Sequence, residues 1–286
     1  VLSIVEHLSL DALRDGLHDE LKDAGYQDGK SLHWAYQSAQ GNQGTAVQIA
    51  RKFVGDRPDV IVPIATPAAQ AVVSATHQIP VVYNAITDPI AAQIVKSMAP
   101  SGTNVTGVSD KLVADRQVAF IKRVVPDVKR VGIIYSPAEA NSVSATREMK
   151  VALEKQGISL VEVAAPRSID VGQAAQRLVG KVDVIYTSND NNVISAYESV
   201  IKVANAAKIP LICADRSSVQ RGATGAMAID YYRMGRQTGR MVLRILNGEK
   251  PGDIASETSD RLDITLNLDA ARRQGATLSP ELKAEA

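Results

Sequence analysis

Apolar positions along this 286-residue chain fall into short unbroken runs separated by longer stretches of helical periodicity. An apolar, β-branched run without alternation is what a strand covered on both faces looks like, so the pattern predicts βα units of a parallel sheet. One such unit is written twice. Pro58 to Pro89 and Val182 to Val219 each contain Asp-Val-Ile near their start (Asp59, Asp183), a polar or Pro-containing turn, a helical segment, and Ile-Pro leading into a second apolar run. Seven residues beyond the Asp stands Thr66 in the first copy and Asp190 in the second. Two copies predict two sheets. In such sheets ligands sit outside the carboxyl ends of the strands, where helix N-termini offer unpaired N–H groups. Thr66 and Asp190 are therefore expected at equivalent mouths, one in each half.

The rest of the chain fits around these copies. Val1 to Val5 reads as a strand, Glu6 to Ser9 as a polar turn, and Leu10, Leu13, Leu17 and Leu21 as one face of a helix ended by Gly25. Leu32 to Gln37 alternates like a strand, and Thr45 to Val54 is helical. Beyond Pro89, Ile90 to Pro100 reads as a helix, the Val-Thr-Gly-Val run as a strand, and Lys111 to Val124 as a helix stopped near Pro126. The pattern then restarts. Val128 to Ser136 is a strand, Ala138 to Asn141 a loop, and a helix follows to Gly157; Ile158 to Pro166 is a strand and Ser168 to Gly180 a helix. Anchoring on Gly25 and Gly157 sets the loop 138–141 opposite 6–9, so the repeat includes the opening βα unit. Past the second copy, a strand ends at Asp230, an amphipathic helix closes at Asn247-Gly248, and Leu262 to Leu268 alternates. The surplus helix and strand are explained by the chain crossing back to the first half and then to the second.

The length leans toward two domains. Lys plus Arg number 32 against 31 Asp plus Glu, so the net charge is +1 and nothing points to nucleic acid as a partner. One cysteine, Cys213, allows no disulfide framework within the chain and reads as a buried inert thiol. The four histidines, His7, His18, His33 and His77, are scattered without ligand spacing, so no metal or cofactor is expected. No phosphate-binding Gly-rich loop and no nucleophilic Ser between glycines is present, which argues against an enzyme. No apolar run approaches the roughly 18–20 residues of a membrane span, and the opening residues read as a strand rather than a signal peptide.

Seven motifs follow one another in order: VEHLSLDA, IATPAAQA, ITDP, NVTGVSD, SPAEANSV, SNDNNV and AIDYYRMGRQTG. The chain carrying them resembles, nearly end to end, the solute-binding proteins of ABC importers with a type I periplasmic-binding fold. The similarity is to the branch associated with aromatic amino acids such as tryptophan, phenylalanine and tyrosine. It implies an α/β protein of two parallel-sheet βα lobes, 1–108 plus 230–257 and 109–229 plus 258–286. Three crossover segments join them, near Gly107 to Ser109, Ala228 to Asp230 and Ser256 to Leu262. It further implies a monomer outside the cytoplasm, closing at its hinge over one small molecule in the cleft and presenting the closed form to an ABC permease. A lipid anchor on an upstream cysteine stays open. So do an aliphatic amino acid or other small polar solute as ligand, and a ligand-sensing role for the same fold.

An amino acid zwitterion asks for donors at its carboxylate and acceptors at its ammonium. Thr66 and Thr87, beyond strand ends in the first lobe and flanked by Pro67 and Ile86, are expected to take the carboxylate, with plain helix capping the other reading of Thr66. In the second lobe Asp190 is expected to take the ammonium, with Asn141 and Asn191 as orienting amides and Glu139 and Asp215 close by. Asp190 has helix capping as its bland reading. Glu6 and His7 are placed at the cleft wall or against the ligand side chain. Ser109, Asp110 and Asp230, at crossovers, either reach the ligand or support the hinge.

Overall fold

The computed structural model describes residues 1–259 and 262–286. The chain runs β1 (Leu2–Ser3), α1 (Leu8–Asp23), β2 (Gln37–Ser38), α2 (Gln43–Asp56), β3 (Pro63–Ile64), α3 (Thr66–Ala75), β4 (Val81–Asn84), β5 (Val105–Ser109) and α4 (Ala114–Val124). Next come β6 (Arg130–Tyr135), α5 (Ala140–Glu154), β7 (Ser159–Ala164), α6 (Val171–Leu178), β8 (Val184–Thr187), α7 (Asn191–Ser195), α8 (Tyr197–Ala207) and β9 (Leu211–Asp215). The last part holds α9 (Arg216–Arg221), β10 (Gly225–Ile229), α10 (Tyr231–Leu246), β11 (Glu257–Thr258), β12 (Leu262–Leu266), α11 (Leu268–Arg273) and α12 (Pro280–Glu285).

Two compact units result. The first is Val1–Lys111 with the segment that resumes at Tyr231; the second is Leu112–Asp230 with the C-terminal stretch to Ala286. The crossover expected over Ser256 to Leu262 includes residues 260 and 261, which lie outside the described residues. The strands of the first unit are ordered β11-β5-β4-β3-β1-β2 and those of the second β12-β10-β9-β8-β6-β7, one strand order used twice. Among the described residues every strand pairing is parallel except that of β10 with β12.

In the second unit the unbroken apolar runs divide residue by residue between two cores. Val131, Ile133, Val184, Tyr186, Ile212 and Ala214 pack with α4 and α5 on one face of the sheet. Ile134, Ile185, Leu211 and Cys213 pack with α6 and α8 on the other. Each strand is thus buried on both sides, which is why alternation is missing from its sequence. In the first unit α1 and α10 cross at backbone contact. A β-carbon on Gly235 would lie 2.0 Å from the Leu13 carbonyl oxygen, and one on Gly16 would lie 2.1 Å from that of Tyr232. Arg236 closes the rim of the crossing with ion pairs to Glu20 at 2.6 Å and Asp23 at 2.7 Å.

Three local expectations change. Residues 90–100 form turns instead of a helix: Gln93 is left-handed at φ 60°, and the N–H groups of Ile94 and Val95 both return to the Pro89 carbonyl. A left-handed residue stops helix propagation, so the apolar Ala92, Ile94 and Val95 serve as buried pins. The strand read over Leu32 to Gln37 contracts to Gln37–Ser38, the only two residues there that pair with β1. The turns at Glu6–Ser9 and Ala138–Asn141 are helix starts, with His7 and Glu139 at the N-cap positions of α1 and α5.

Gly235→Ala is expected to lower the unfolding free energy by about 1–3 kcal/mol, the usual cost of an added methyl with no room. Gly55→Ala, in a helix with nothing within 4 Å of the new carbon, should be neutral or stabilising by up to about 1 kcal/mol. Urea unfolding of both variants checks this, and an unaffected Gly235→Ala protein would refute the backbone contact.

Candidate functional site

In the first unit the mouth is built where β3 and β4 end. Ala65 is the N-cap of α3, at φ 74°, and Ala85 follows β4 at φ 55°. Two left-handed alanines cost on the order of 1 kcal/mol each, and such strain collects at functional sites. Alanine has no side chain with which to cap. The first-turn N–H groups of Thr66 and Ala68 have no partner inside the helix, and Pro67 contributes none. Thr66 is therefore the first helical residue, not the cap, and its enclosed Oγ1 has no protein hydrogen-bond partner. The arrangement is a set of donors suited to an anion.

Thr87, half-buried, is wired differently. Its hydroxyl donates to Asp110 Oδ1 at 3.0 Å, and Tyr231 donates to Asp110 Oδ2 at 2.7 Å. Ser109 is buried and accepts from the Lys111 N–H at 3.2 Å, a bond that supports the end of β5. Ile86, next to Thr87 in the chain, is fully buried. Glu6 accepts from Tyr36 at 3.3 Å and Gln40 at 3.1 Å, and His7 Nδ1 accepts weakly from the Leu10 N–H at 3.5 Å. Trp34 lies edge-on to His18 at 4.8 Å between ring centres.

In the second unit Asp190 is the N-cap of α7 and wholly buried. Its carboxylate accepts from the Ser136 N–H at 2.7 Å, the Ser136 hydroxyl at 2.8 Å, the Ser142 hydroxyl at 2.6 Å and the Val193 N–H at 3.0 Å. Both oxygens accept from inside the unit, and the carboxylate ties β6, α5 and α7 together. Glu139 stands next to it, 7% exposed, and one carboxylate oxygen accepts from Asn141 Nδ2 at 3.0 Å and Asn191 Nδ2 at 2.7 Å. Asn141 Nδ2 also donates to the Asn189 carbonyl at 2.8 Å. With two acceptors on that side the amide orientation is settled, and Asn141 Oδ1, which has no protein partner, faces away from them.

Among the described residues no Lys, Arg or His pairs with either carboxylate. Burial first, and then the neighbouring charge of Asp190, push Glu139 up to about 7, against the opposing bonds from Asn141 and Asn191. Burial likewise raises Asp190, with its four donors pulling the other way. The mouth of this unit is thus an acceptor site lacking a cation. Asp215 caps α9, accepting from the Ser217 hydroxyl at 2.5 Å and the Ser218 N–H at 2.9 Å, and Asp230 lies half-buried between β10 and α10.

Sequence reading passed over three residues. Asn84 is fully enclosed with neither amide atom paired; its signal was a polar residue interrupting the apolar run VVYNAI. Ser136 and Ser142 hold Asp190, and nothing in their spacing marked them.

A family model described as ABC transporter substrate binding protein matches residues 1–286. The chain is 39% identical over 272 residues, 95% of its length and 79% of the relative's, to a Clostridioides difficile (strain R20291) protein named tyrosine-binding protein. A crystal structure of a conserved domain protein from Vibrio cholerae matches with a TM-score of 0.98 at 47% identity, covering 100% of this chain and 96% of that one. An ABC domain from Streptococcus pneumonia, solved in complex with L-Trp, matches with a TM-score of 0.96 at 34% identity, again over 100% and 96%. The two-sheet architecture is that of the type I periplasmic binding proteins.

Asp190→Ala leaves the buried Val193 N–H unpaired and takes the acceptor from the Ser142 hydroxyl, and we expect it to cost about 2–4 kcal/mol in urea unfolding. Burial holds the pKa of Glu139 up at about 7 in the folded protein, so between roughly pH 4.5 and 7 the folded state holds the extra proton. Stability of the ligand-free protein should then fall as pH rises through that window, by at most about 1.4 kcal/mol per unit. Glu139→Gln should remove that slope; an unchanged slope in the variant would assign it elsewhere.

Proposed function

We propose that this chain, which belongs to the ABC transporter substrate-binding protein family, captures an aromatic α-amino acid, tyrosine or tryptophan, for import. Members of this family act outside the cytoplasm, and no helix among the described residues is long and apolar enough to cross a membrane. In this reading the protein works as a monomer, by binding without turnover or cofactor, and hands its solute to a membrane permease.

The observation that carries it is the buried Glu139–Asp190 pair with no cation. Two carboxylates kept out of water are costly unless paired, and a ligand ammonium supplies the missing charge. We assign the ammonium to Glu139 and Asn141 Oδ1, with Asp190 and Asn191 holding them in place. Taken by itself, the first unit suits a carboxylate at Thr66 and the N-terminus of α3. A relative named tyrosine-binding protein and a related domain solved in complex with L-Trp support the choice of an aromatic side chain.

Calorimetry on protein stripped by unfolding and refolding, against tyrosine, tryptophan, phenylalanine, leucine and non-amino-acid solutes, tests the reading. We expect tight binding of an aromatic amino acid with a negative heat-capacity change. Glu139→Gln should weaken it by roughly 10- to 100-fold, the worth of one charge-assisted bond. Because Glu139 must lose its proton to receive an ammonium, wild-type affinity should rise with pH up to about 7 and level off above it. Below that point the change should approach about tenfold per unit. Binding that is flat from pH 5.5 to 8 would remove Glu139 from this role.

A further inference from the structure

The hydrogen bonds joining Thr87, Asp110 and Tyr231 have no part in the roles assigned so far. The three residues are remote in sequence: Thr87 follows β4, Asp110 follows β5 and Tyr231 opens α10. Asp110 is 2% exposed and Tyr231 6%, whereas Thr87 is half-buried. A threonine hydroxyl has one proton, and an ionised carboxylate only accepts. With Thr87 Oγ1 donating to Asp110 Oδ1 at 3.0 Å, the proton of Thr87 is committed, and its oxygen has only lone pairs left for any other group. Tyr231, donating to Oδ2 at 2.7 Å, fixes the rotation of the same carboxylate.

We infer that Asp110 and Tyr231 are positioning residues that turn Thr87 into an acceptor, so that Thr87 reads the ligand's ammonium and not its carboxylate. This reverses the expectation for Thr87 and rests on the reading of the ligand as an amino acid. Thr66 differs because no protein acceptor takes the proton of its Oγ1, which is available to an anion. The first unit therefore offers a donor at Thr66 and an acceptor at Thr87. An α-amino acid carries both complementary groups on one carbon.

The test compares L-tyrosine with 3-(4-hydroxyphenyl)propionate, which lacks the amine, by direct and competition calorimetry on the full chain. Thr87→Val removes the acceptor and keeps the shape; it should weaken tyrosine at least tenfold and leave the amine-free probe within about twofold. Thr87→Ser should restore tyrosine binding. In Asp110→Asn, Tyr231 retains the amide oxygen, the amide N–H donates to Thr87, and the hydroxyl proton turns outward. That variant should lose tyrosine affinity at least as strongly as Thr87→Val, and the double variant should be no worse than Asp110→Asn alone. Tyr231→Phe, which disturbs the fold least, should show a smaller loss confined to tyrosine.

Equal losses for both probes in Thr87→Val would return Thr87 to the carboxylate and overturn the inference. A full extra loss from Asp110→Asn in the Thr87→Val background would mean that Asp110 meets the ligand itself, which also overturns it. Failure of the wild-type chain to bind any aromatic amino acid would overturn the parent reading, and this inference with it.

Discussion

A parallel strand can be followed only by a long crossover, and this one constraint arranges the rest of the protein. Each strand-to-helix turn must fall at the same end of its sheet, the carboxyl end, with helices covering both faces. The faces take the apolar residues, as Ile133 and Ile134 show by facing opposite cores. Polar side chains are left for the turns. Thr66, Thr87, Glu139 and Asp190 all stand at such turns, after β3, β4, β6 and β8. Because both units have one strand order, each builds a mouth by the same route.

The two mouths have opposite chemistry within that shared geometry. In the first, Ala65 occupies the cap position of α3, where a capping side chain would satisfy the helix N–H groups, and it holds a left-handed backbone instead. In the corresponding place of the second unit Asp190 caps α7 and closes it. One mouth therefore keeps donors open, and the other keeps acceptors open at Glu139 and Asn141. Both arrangements cost stability: the first through strain and unpaired N–H groups, the second through buried charge without a counter-ion. Sites that wait for a ligand commonly carry such a cost, since the ligand is what offsets it.

Asp190 and Asp110 are buried carboxylates whose oxygens are occupied by donors of the same unit. Asp190 receives four donors from three segments and so fixes the frame on which Glu139 and Asn191 sit. Asp110 receives the hydroxyl protons of Thr87 and Tyr231, which leaves only lone pairs on Thr87 Oγ1. In each case the consequence lies in the direction of protons, which follows from what each partner can give or accept.

The sequence by itself determined the two sheets, the duplicated βα unit and the turns at which the polar residues gather. Those features follow from local periodicity and from a repeat that any comparison of the chain with itself reveals. Thr66, Glu139, Asn141 and Asp190 could be named for the same reason, since turn residues beyond buried strands stand out against apolar runs. Tertiary structure alone decided which of them are saturated. Asp190 looks like a free carboxylate at a helix start until Ser136 and Ser142 arrive beside it. Asn84 looks like a strand residue until it is found enclosed without a partner. Likewise, 90–100 has helical periodicity, yet Asp88, Pro89 and the left-handed Gln93 fold it into turns. Hydrogen-bond saturation depends on residues brought together from remote positions, and periodicity carries no information about which of those positions meet.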